Sequence, residues 1–355
     1  MLDYIIVGSG LAGIAFAETA LNNDKNILVI SDTSQNSSII AGGLYNPVIL
    51  KRFSEVWQAS EQLDILTEFY NELEKKLTLK FDYRMPLLRK FYSVEEQNNW
   101  FTASDKPNLS MFLSTNLITK KWEAIPSPHN FGEVLYSGYV DTSLLVNSYH
   151  HYLISKECFH EETFNYTDLI INDEFVTYKN LKAKNIVFAE GFGMLLNPFF
   201  NKLPLGGTKG ELLLIKAPKL NLDVILKSSI FILPVGNDLY KVGATYNWED
   251  KTNIPTEAGK KELIDNLKEL ITCDFEIIEH HAGVRPTVKD RRPMLGAHPI
   301  YKNLFVLNGL GTRGVMLAPA MAKMLFNHIE KQDELNPYVD IKRFKAFASN
   351  PYHNE

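Results

Sequence analysis

The tightest constraint on this chain lies near its N-terminus, at Gly8-Ser9-Gly10-Leu11-Ala12-Gly13. These residues follow an apolar run, Leu2 to Val7, and lead into Leu11 to Leu21, which reads as a helix. Three glycines at this spacing suit a strand–turn–helix whose turn receives a phosphate. The first permits the tight turn, the second lets the backbone approach a pyrophosphate, and the third lets helix and strand pack closely. The helix N-terminus then offers free amide donors and the positive end of its dipole. A second apolar strand at Asn26 to Ser31 completes a parallel strand–helix–strand unit. Asp32 follows Gly13 by nineteen residues, where a carboxylate can accept from ribose hydroxyls. Ser31 could share that role, and an ordinary surface turn is the alternative reading of Ser-Asp-Thr-Ser. The expectation is a dinucleotide-binding domain with Gly8, Ser9, Gly10, Leu11, Ala12, Gly13, Ser31 and Asp32 as cofactor contacts.

A chain of 355 residues, 45% of them hydrophobic, can bury a full core and divide into two domains. Its formal net charge of −5 argues against a dominant nucleic-acid footprint. The two cysteines, Cys158 and Cys273, have neither metal-like nor redox-like spacing, so a cytoplasmic protein without a disulfide framework is expected. Leu2 to Leu21 imitates a signal sequence but lacks a basic leader and carries Asp3 instead. No run approaches the ~18 apolar residues of a membrane span. No metal site is expected: His150 and His151 are adjacent rather than spaced along one helix face, and a surface position is the natural reading of the pair.

Helical periodicity marks 55–76, 140–153 (entered through Asp141 and Thr142), 257–271 and 315–329, and strands are expected at 159–165, 185–189, 211–216, 230–234, 239–245 and 304–307. Residues 81–135 carry many aromatics and few clear signals. Strand-rich blocks interrupt the strand–helix alternation, so the two domains are read as interleaved. Residues 1–55, 138–205 and 282–340 are assigned to the cofactor domain, and 56–137 and 206–281 to the substrate domain. The expected fold is α/β, and α+β overall: a doubly wound Rossmann-like domain with an interleaved antiparallel-sheet domain.

Further segments resemble one superfamily, that of D-amino acid oxidase, glycine oxidase and sarcosine oxidase. They are Ala41-Gly42-Gly43-Leu44-Tyr45-Asn46-Pro47, Gly138 to Val146, Val187-Phe-Ala-Glu-Gly191, Ala282-Gly-Val-Arg-Pro286 with Asp290, Pro293 and Gly296, and Gly309-Leu-Gly-Thr-Arg-Gly314 with Ala318-Pro319. The matches run in the expected order from Met1 to about His328. The resemblance implies FAD, held without a covalent bond because neither cysteine lies near the C-terminal signature. It further implies cofactor contacts at Ala41, Gly42, Gly43, Leu44, Thr163, Gly191, Gly309, Gly311, Thr312, Arg313, Gly314 and Val315. The last helix would start at the flavin edge where negative charge develops on reduction.

For the substrate, the resemblance implies that Arg285 pairs with a carboxylate, for which the two parallel donors of a guanidinium are suited. Arginine is scarce in this chain, and four of its eight lie between Arg285 and Arg313. A structural ion pair is the other reading of Arg285. Tyr246 could donate a hydrogen bond to substrate or pack in the core beside Trp248. Lys209 could assist oxygen or stand exposed. The implied activity is oxidation of the C–N bond of a small amino acid or secondary amine to an imine, with reoxidation by oxygen or an electron carrier. The alternative is removal of a carboxymethyl group from a tRNA wobble uridine. The C-terminal signature and Leu44-Tyr45 look particularly like the FAD domain of the bifunctional tRNA methylaminomethyl-uridine enzyme, and basic pairs such as Lys120-Lys121, Lys260-Lys261 and the tail Lys342-Arg343-Phe344-Lys345 could contact RNA. A small-molecule substrate is ranked first, with no membrane partner.

Overall fold

The computed structural model describes residues 1–32 and 34–348. The described chain forms two compact units. The first comprises Met1–Ile39, Ser143–Thr208 and the chain from Val284 onward; the second comprises Ile40–Thr142 and Lys209–Gly283.

The first unit is built on an eight-stranded sheet. Phe159–Glu161, Ile27–Ser31, Leu2–Val7, Leu181–Phe188 and Leu304–Asn308 lie side by side in parallel, and antiparallel strands flank them. Parallel strands covered on both faces read as near-continuous apolar runs, and Tyr4, Ile5 and Ile6 are indeed fully buried. Ile5 and Val7 join a core with Leu28, Ile30, Ile186, Phe188 and Val306. Tyr4 instead meets Phe16 of the helix Leu11–Leu21, edge to face at 5.2 Å, and Phe326 of the helix Gly314–Lys331. Glu18, a buried acid in a mainly apolar helix, accepts from the Tyr149 hydroxyl at 3.0 Å.

The second unit carries a seven-stranded, largely antiparallel sheet. One face, with Leu88, Leu213, Leu226, Ile232 and Val242, packs on Leu263, Leu267 and Leu270 of the helix Glu257–Leu270. That helix begins where Thr256 accepts from the Gly259 amide at 3.0 Å.

Several boundaries differ from expectation for identifiable reasons. The helix expected from residue 140 begins at Thr142, because Gly138–Val140 is a strand pairing with both Leu44–Tyr45 and Asp82–Arg84. Residues 40–55, expected to continue with residues 1–39, group with the second unit, as do residues 138–142. The helix expected from residue 55 begins at Ala59, after Gln58 turns the chain at φ +50°. The strand expected over 159–165 stops at Glu161, and Asn165 caps a short turn by accepting from the Thr167 amide at 3.2 Å. Residues 81–135 hold three short strands and the helix Val94–Ser104, elements too brief to show a period.

Candidate functional site

In the first unit, the glycine turn is fixed by contacts within the chain. Gly8 has φ +101°, and a Cβ there would sit 2.5 Å from the Ala189 carbonyl oxygen. A Cβ on Gly13 would lie 1.9 Å from the Gly8 carbonyl oxygen, so only glycine lets the helix start this close to the strand. The Leu11 amide donates to Ser38 Oγ at 3.1 Å. Ser9 is buried, and its carbonyl accepts from His150 Nε2 at 3.2 Å. His150 is therefore not the surface residue expected. Its ring stacks on Phe159 at 5.1 Å, and burial pushes its pKa down, so the neutral imidazole braces the turn. Neither Ser38 nor His150 was legible as a site residue, because each acts through a turn far away in sequence.

Asp32 lies beyond the strand Ile27–Ser31 with both carboxylate oxygens engaged. Oδ1 accepts from the Ser34 amide at 3.0 Å and its hydroxyl at 2.6 Å, and Oδ2 accepts from Thr163 Oγ1 at 2.8 Å. Desolvation raises the pKa of Asp32, but the hydrogen bonds from Ser34 and Thr163 outweigh it and hold the carboxyl below its ordinary value. Thus Asp32 is both a turn residue and an ionised acceptor. Ser31 spends its hydroxyl on the Asp32 carbonyl at 3.3 Å.

The C-terminal glycine set lies in the same unit. Gly309 and Gly311 adopt φ +76° and +58°, and a short turn, Gly311–Arg313, leads into the helix Gly314–Lys331. Thr312 is exposed, Arg313 half-buried and Val315 buried. Asn308 donates to the Gly191 carbonyl at 2.8 Å, which ties two of the resemblance segments together. A Cβ on Gly314 would come within 3.1 Å of Leu11 Cδ1. The N-termini of two helices therefore meet here, and first-turn backbone N–H groups with the positive ends of both helix dipoles are donors of the kind that an anionic dinucleotide needs. The donor set fits FAD.

Between these segments lies Glu190, which sequence reasoning left without a role. The residue as a whole is partly accessible, but its carboxyl is enclosed. It accepts from Asn197 Nδ2 at 2.7 Å and from the Tyr166 hydroxyl. Burial raises its pKa to about 7, against the opposite pull of those two hydrogen bonds, and the charge on Asp32 adds to the rise.

Arg285 sits half-buried on the strand Glu276–Val288. The nearby signature acid Asp290 has a structural task. Its Oδ2 accepts from Arg343 Nε at 2.9 Å, and Arg343 Nη2 reaches the Arg292 carbonyl at 3.3 Å. Arg343, in the tail considered for RNA contact, is thus tied down with its side chain only 15% exposed. Lys120 and Lys261 likewise have carboxylate partners, Asp223 and Asp265.

In the second unit, Ala41 to Leu44 are pinned from within. Thr142 Oγ1 donates to the Ala41 carbonyl at 3.2 Å, and the Val140 amide to the Gly43 carbonyl at 3.0 Å. The aromatic ring of Phe231 occupies the space where a Gly42 side chain would stand, 2.6 Å from the Cβ position. Tyr246 is 60% exposed and Trp248 61% exposed, which rules out core packing for both. Lys209 is the reverse of the exposed lysine considered from sequence: it is fully buried, and its ammonium is held by Asp250 at 2.5 Å. Among the described residues, no group of three or more His, Cys, Asp or Glu side chains is placed to hold a metal, and no helix is long and apolar enough to cross a membrane.

Among curated proteins, the bifunctional tRNA 5-methylaminomethyl-2-thiouridine biosynthesis protein MnmC of Idiomarina loihiensis is 27% identical over 181 residues, covering 47% of this chain and 29% of that protein. MnmC of Marinobacter nauticus is 21% identical over 92% of this chain and 55% of its own length. The chain therefore spans well under two-thirds of these two relatives. The glycine oxidase of Pseudomonas aeruginosa is 26% identical over 41% of each chain. Among solved structures, glycine oxidase from Geobacillus kaustophilus superimposes with a TM-score of 0.76 at 18% identity, over 95% of this chain and 98% of its own. Iminodiacetate oxidase from Chelativorans also gives 0.76, at 17% identity, over 95% and 98% of the two chains. These likenesses show the same fold. The family model of FAD dependent oxidoreductases matches residues 3–327, nearly the whole chain, and the protein belongs to that family as an FAD-dependent enzyme.

Proposed function

We propose that the protein oxidises the C–N bond of a small amino acid or secondary amine to an imine. The observation that carries this reading is the joining of two helix N-termini at Leu11 and Gly314 within a chain whose family is FAD-dependent. Bound FAD, held here without a covalent bond, supplies the hydride acceptor.

The proposed cofactor contacts are those of the Gly8–Gly13 turn, Ser31 and Asp32 with Thr163, Ala41 to Leu44, Gly191, and Gly309 to Val315. Asp32, kept ionised, accepts from ribose hydroxyls. Arg285 holds the substrate carboxylate in its planar fork and so fixes the C–H bond that is to break. Tyr246, exposed on its loop, donates a hydrogen bond to the substrate. The amine must be uncharged to give up hydride, so a strong base is needed less than correct placement.

The experiment is an amine and amino-acid panel scored by anaerobic bleaching of the flavin, with glycine, sarcosine and iminodiacetate as first probes. Bleaching by one of them supports the reading. A yellow protein that none of the panel bleaches would overturn it.

A second reading, removal of a carboxymethyl group from a tRNA nucleoside, is favoured by the MnmC relatives. The ion-paired Lys120, Lys261 and Arg343 weigh against it, because each would have to leave a carboxylate to reach phosphate. Steep loss of tRNA binding between ~50 and ~200 mM salt would favour the second reading, since phosphate contacts release counterions.

A further inference from the structure

We propose that Lys209 is a positioning residue for the substrate, buried beneath the 246–254 loop to hold Tyr246 and Trp248 in place. The inference rests on the reading of Tyr246 given above and names what sets that residue's position.

The loop returns onto the strand Leu205–Lys216 at two points. The Lys209 amide donates to the Asn247 carbonyl at 2.8 Å, and the Asn247 amide returns to the Lys209 carbonyl at 3.0 Å. At the far end, Glu211 accepts from the Thr256 amide at 2.9 Å and from its hydroxyl at 2.7 Å. Between these ends the loop is drawn inward by one side chain. Lys209 Nζ meets Asp250 Oδ2 at 2.5 Å, Thr252 Oγ1 at 3.3 Å and the Ile254 carbonyl. Asp250 also accepts through Oδ1 from the Thr252 amide and hydroxyl, both at 2.7 Å. The Lys209 hydrogen bond is the main reason the Asp250 pKa is held at about 2, so the Asp250 carboxylate stays ionised at any working pH.

The large apolar side chains of the loop are exposed. Tyr246, Trp248 and Ile254 are 60%, 61% and 69% exposed. A loop normally gains its shape by burying such groups. Here the shape comes from a fully buried cation, which a chain rarely buries without partners, while the large apolar groups stand exposed on the loop. Loops set on a rigid scaffold are where binding residues concentrate. Lys209 accordingly acts through Tyr246 and Trp248 and does not itself touch the substrate.

The test compares Lys209→Met, Lys209→Arg and Asp250→Asn as FAD-loaded enzymes. The first readout, which needs no activity, is tryptic cleavage after Lys251 in the loop. Lys209→Met should speed it at least about tenfold, because local opening governs cleavage. The second is the split of KM against the limiting rate of flavin bleaching by whichever of glycine, sarcosine or iminodiacetate bleaches the wild type. KM should rise about tenfold while the limiting rate stays within about twofold, as expected when binding and not chemistry is loosened. Asp250→Asn should move both readouts in the same direction, and Lys209→Arg should restore part of each. Faster cleavage with KM unchanged makes Lys209 merely structural and overturns the proposal, as does unchanged cleavage. If no amine bleaches the wild type, the proposed reaction fails by itself. Positioning is then read from the glycolate concentration that perturbs the flavin spectrum: a rise in Lys209→Met supports the proposal, and no rise overturns it.

Discussion

The glycine turn at residues 8–13 and the loop at 246–254 are both offered as ligand-facing segments, yet the chain builds them by opposite means. The turn is shaped by what cannot fit: a Cβ on Gly13 has the Gly8 carbonyl oxygen at 1.9 Å. The loop is shaped by what attracts: a buried ammonium gathers Asp250, Thr252 and the Ile254 carbonyl. Steric exclusion leaves a pattern in the sequence, because only glycine satisfies it. Attraction leaves none, because many residue types at many spacings can supply an acceptor.

The harshest way to probe the steric side is Gly13→Val. The new side chain meets backbone, which cannot move without separating helix from strand. The expected cost is at least about 3 kcal/mol, with loss of bound flavin. Thermal unfolding and the yellow absorbance of the purified protein check both. A stable, yellow Gly13→Val protein would break the contrast.

On the attractive side, the largest effect should come from Arg285→Ala. Removing one member of a charge-assisted pair costs ~2–5 kcal/mol in a desolvated setting. At 1.4 kcal/mol per factor of ten, kcat/KM should fall by about 30-fold to several thousand-fold. Arg285→Lys should recover little, because it keeps the charge and loses the fork. Flavin content should remain near normal. Loss of flavin or of the fold in the alanine variant would make Arg285 structural instead.

The same contrast explains what could be read in advance. The first strand and helix, Leu2–Val7 and Leu11–Leu21, fall where the sequence placed them, since buried parallel strands and their helix leave long apolar runs. Gly8, Gly10 and Gly13 were legible for the same reason. Residues 40–55 were not: Leu44–Tyr45 pairs with the strand Gly138–Val140, about ninety residues away, and two-residue strands carry no period. His150 and Ser38 escaped notice because a side chain bracing a distant turn has no local signature. Glu190 could have been suspected as an acid between a buried strand and a glycine, though spacing alone says nothing of Tyr166 or Asn197. Lys209 sat in plain view beside Gly210, but burial of a lysine depends on an acceptor forty-one residues later, at Asp250.

Glu190 offers a probe of an intermediate kind, an attractive cluster set against the steric turn. Its pKa is raised from 4.5 to about 7 in the folded protein, mainly by burial. Between those values the folded state holds a proton that the unfolded state has released, so stability falls as pH rises through that window. Well above pH 7 the full cost of burying the charge is present, on the order of 3 kcal/mol. Glu190→Gln, which can still accept from Tyr166, should flatten the stability profile between about pH 4.5 and 7 and be the more stable protein at pH 8. Chemical denaturation across that range checks it. An unchanged slope would show that the carboxyl is hydrated in solution.

The smallest expected effect, and the finest test of the contrast, is Thr163→Val. The substitution keeps the shape of Thr163 and removes only the 2.8 Å hydrogen bond to Asp32 Oδ2. Ser34 still donates twice to Oδ1, so the carboxylate should keep its turn but gain freedom at the oxygen nearer Thr163. A single hydrogen bond to a charged, solvent-accessible group contributes about 1 kcal/mol, so FAD should bind about fivefold more weakly. The pH dependence supplies the sign. Asp32 is held below its ordinary pKa, so its contribution is complete above the ordinary carboxylate range and is lost as pH falls through the folded value. Without Thr163 that folded value moves up, and FAD release on acidification should begin at higher pH in the variant than in the wild type. Flavin fluorescence during acid titration reads this directly. If both proteins release FAD at the same pH, Thr163 does not hold the acid, and the ribose end of the site is shaped by the Ser34 turn alone.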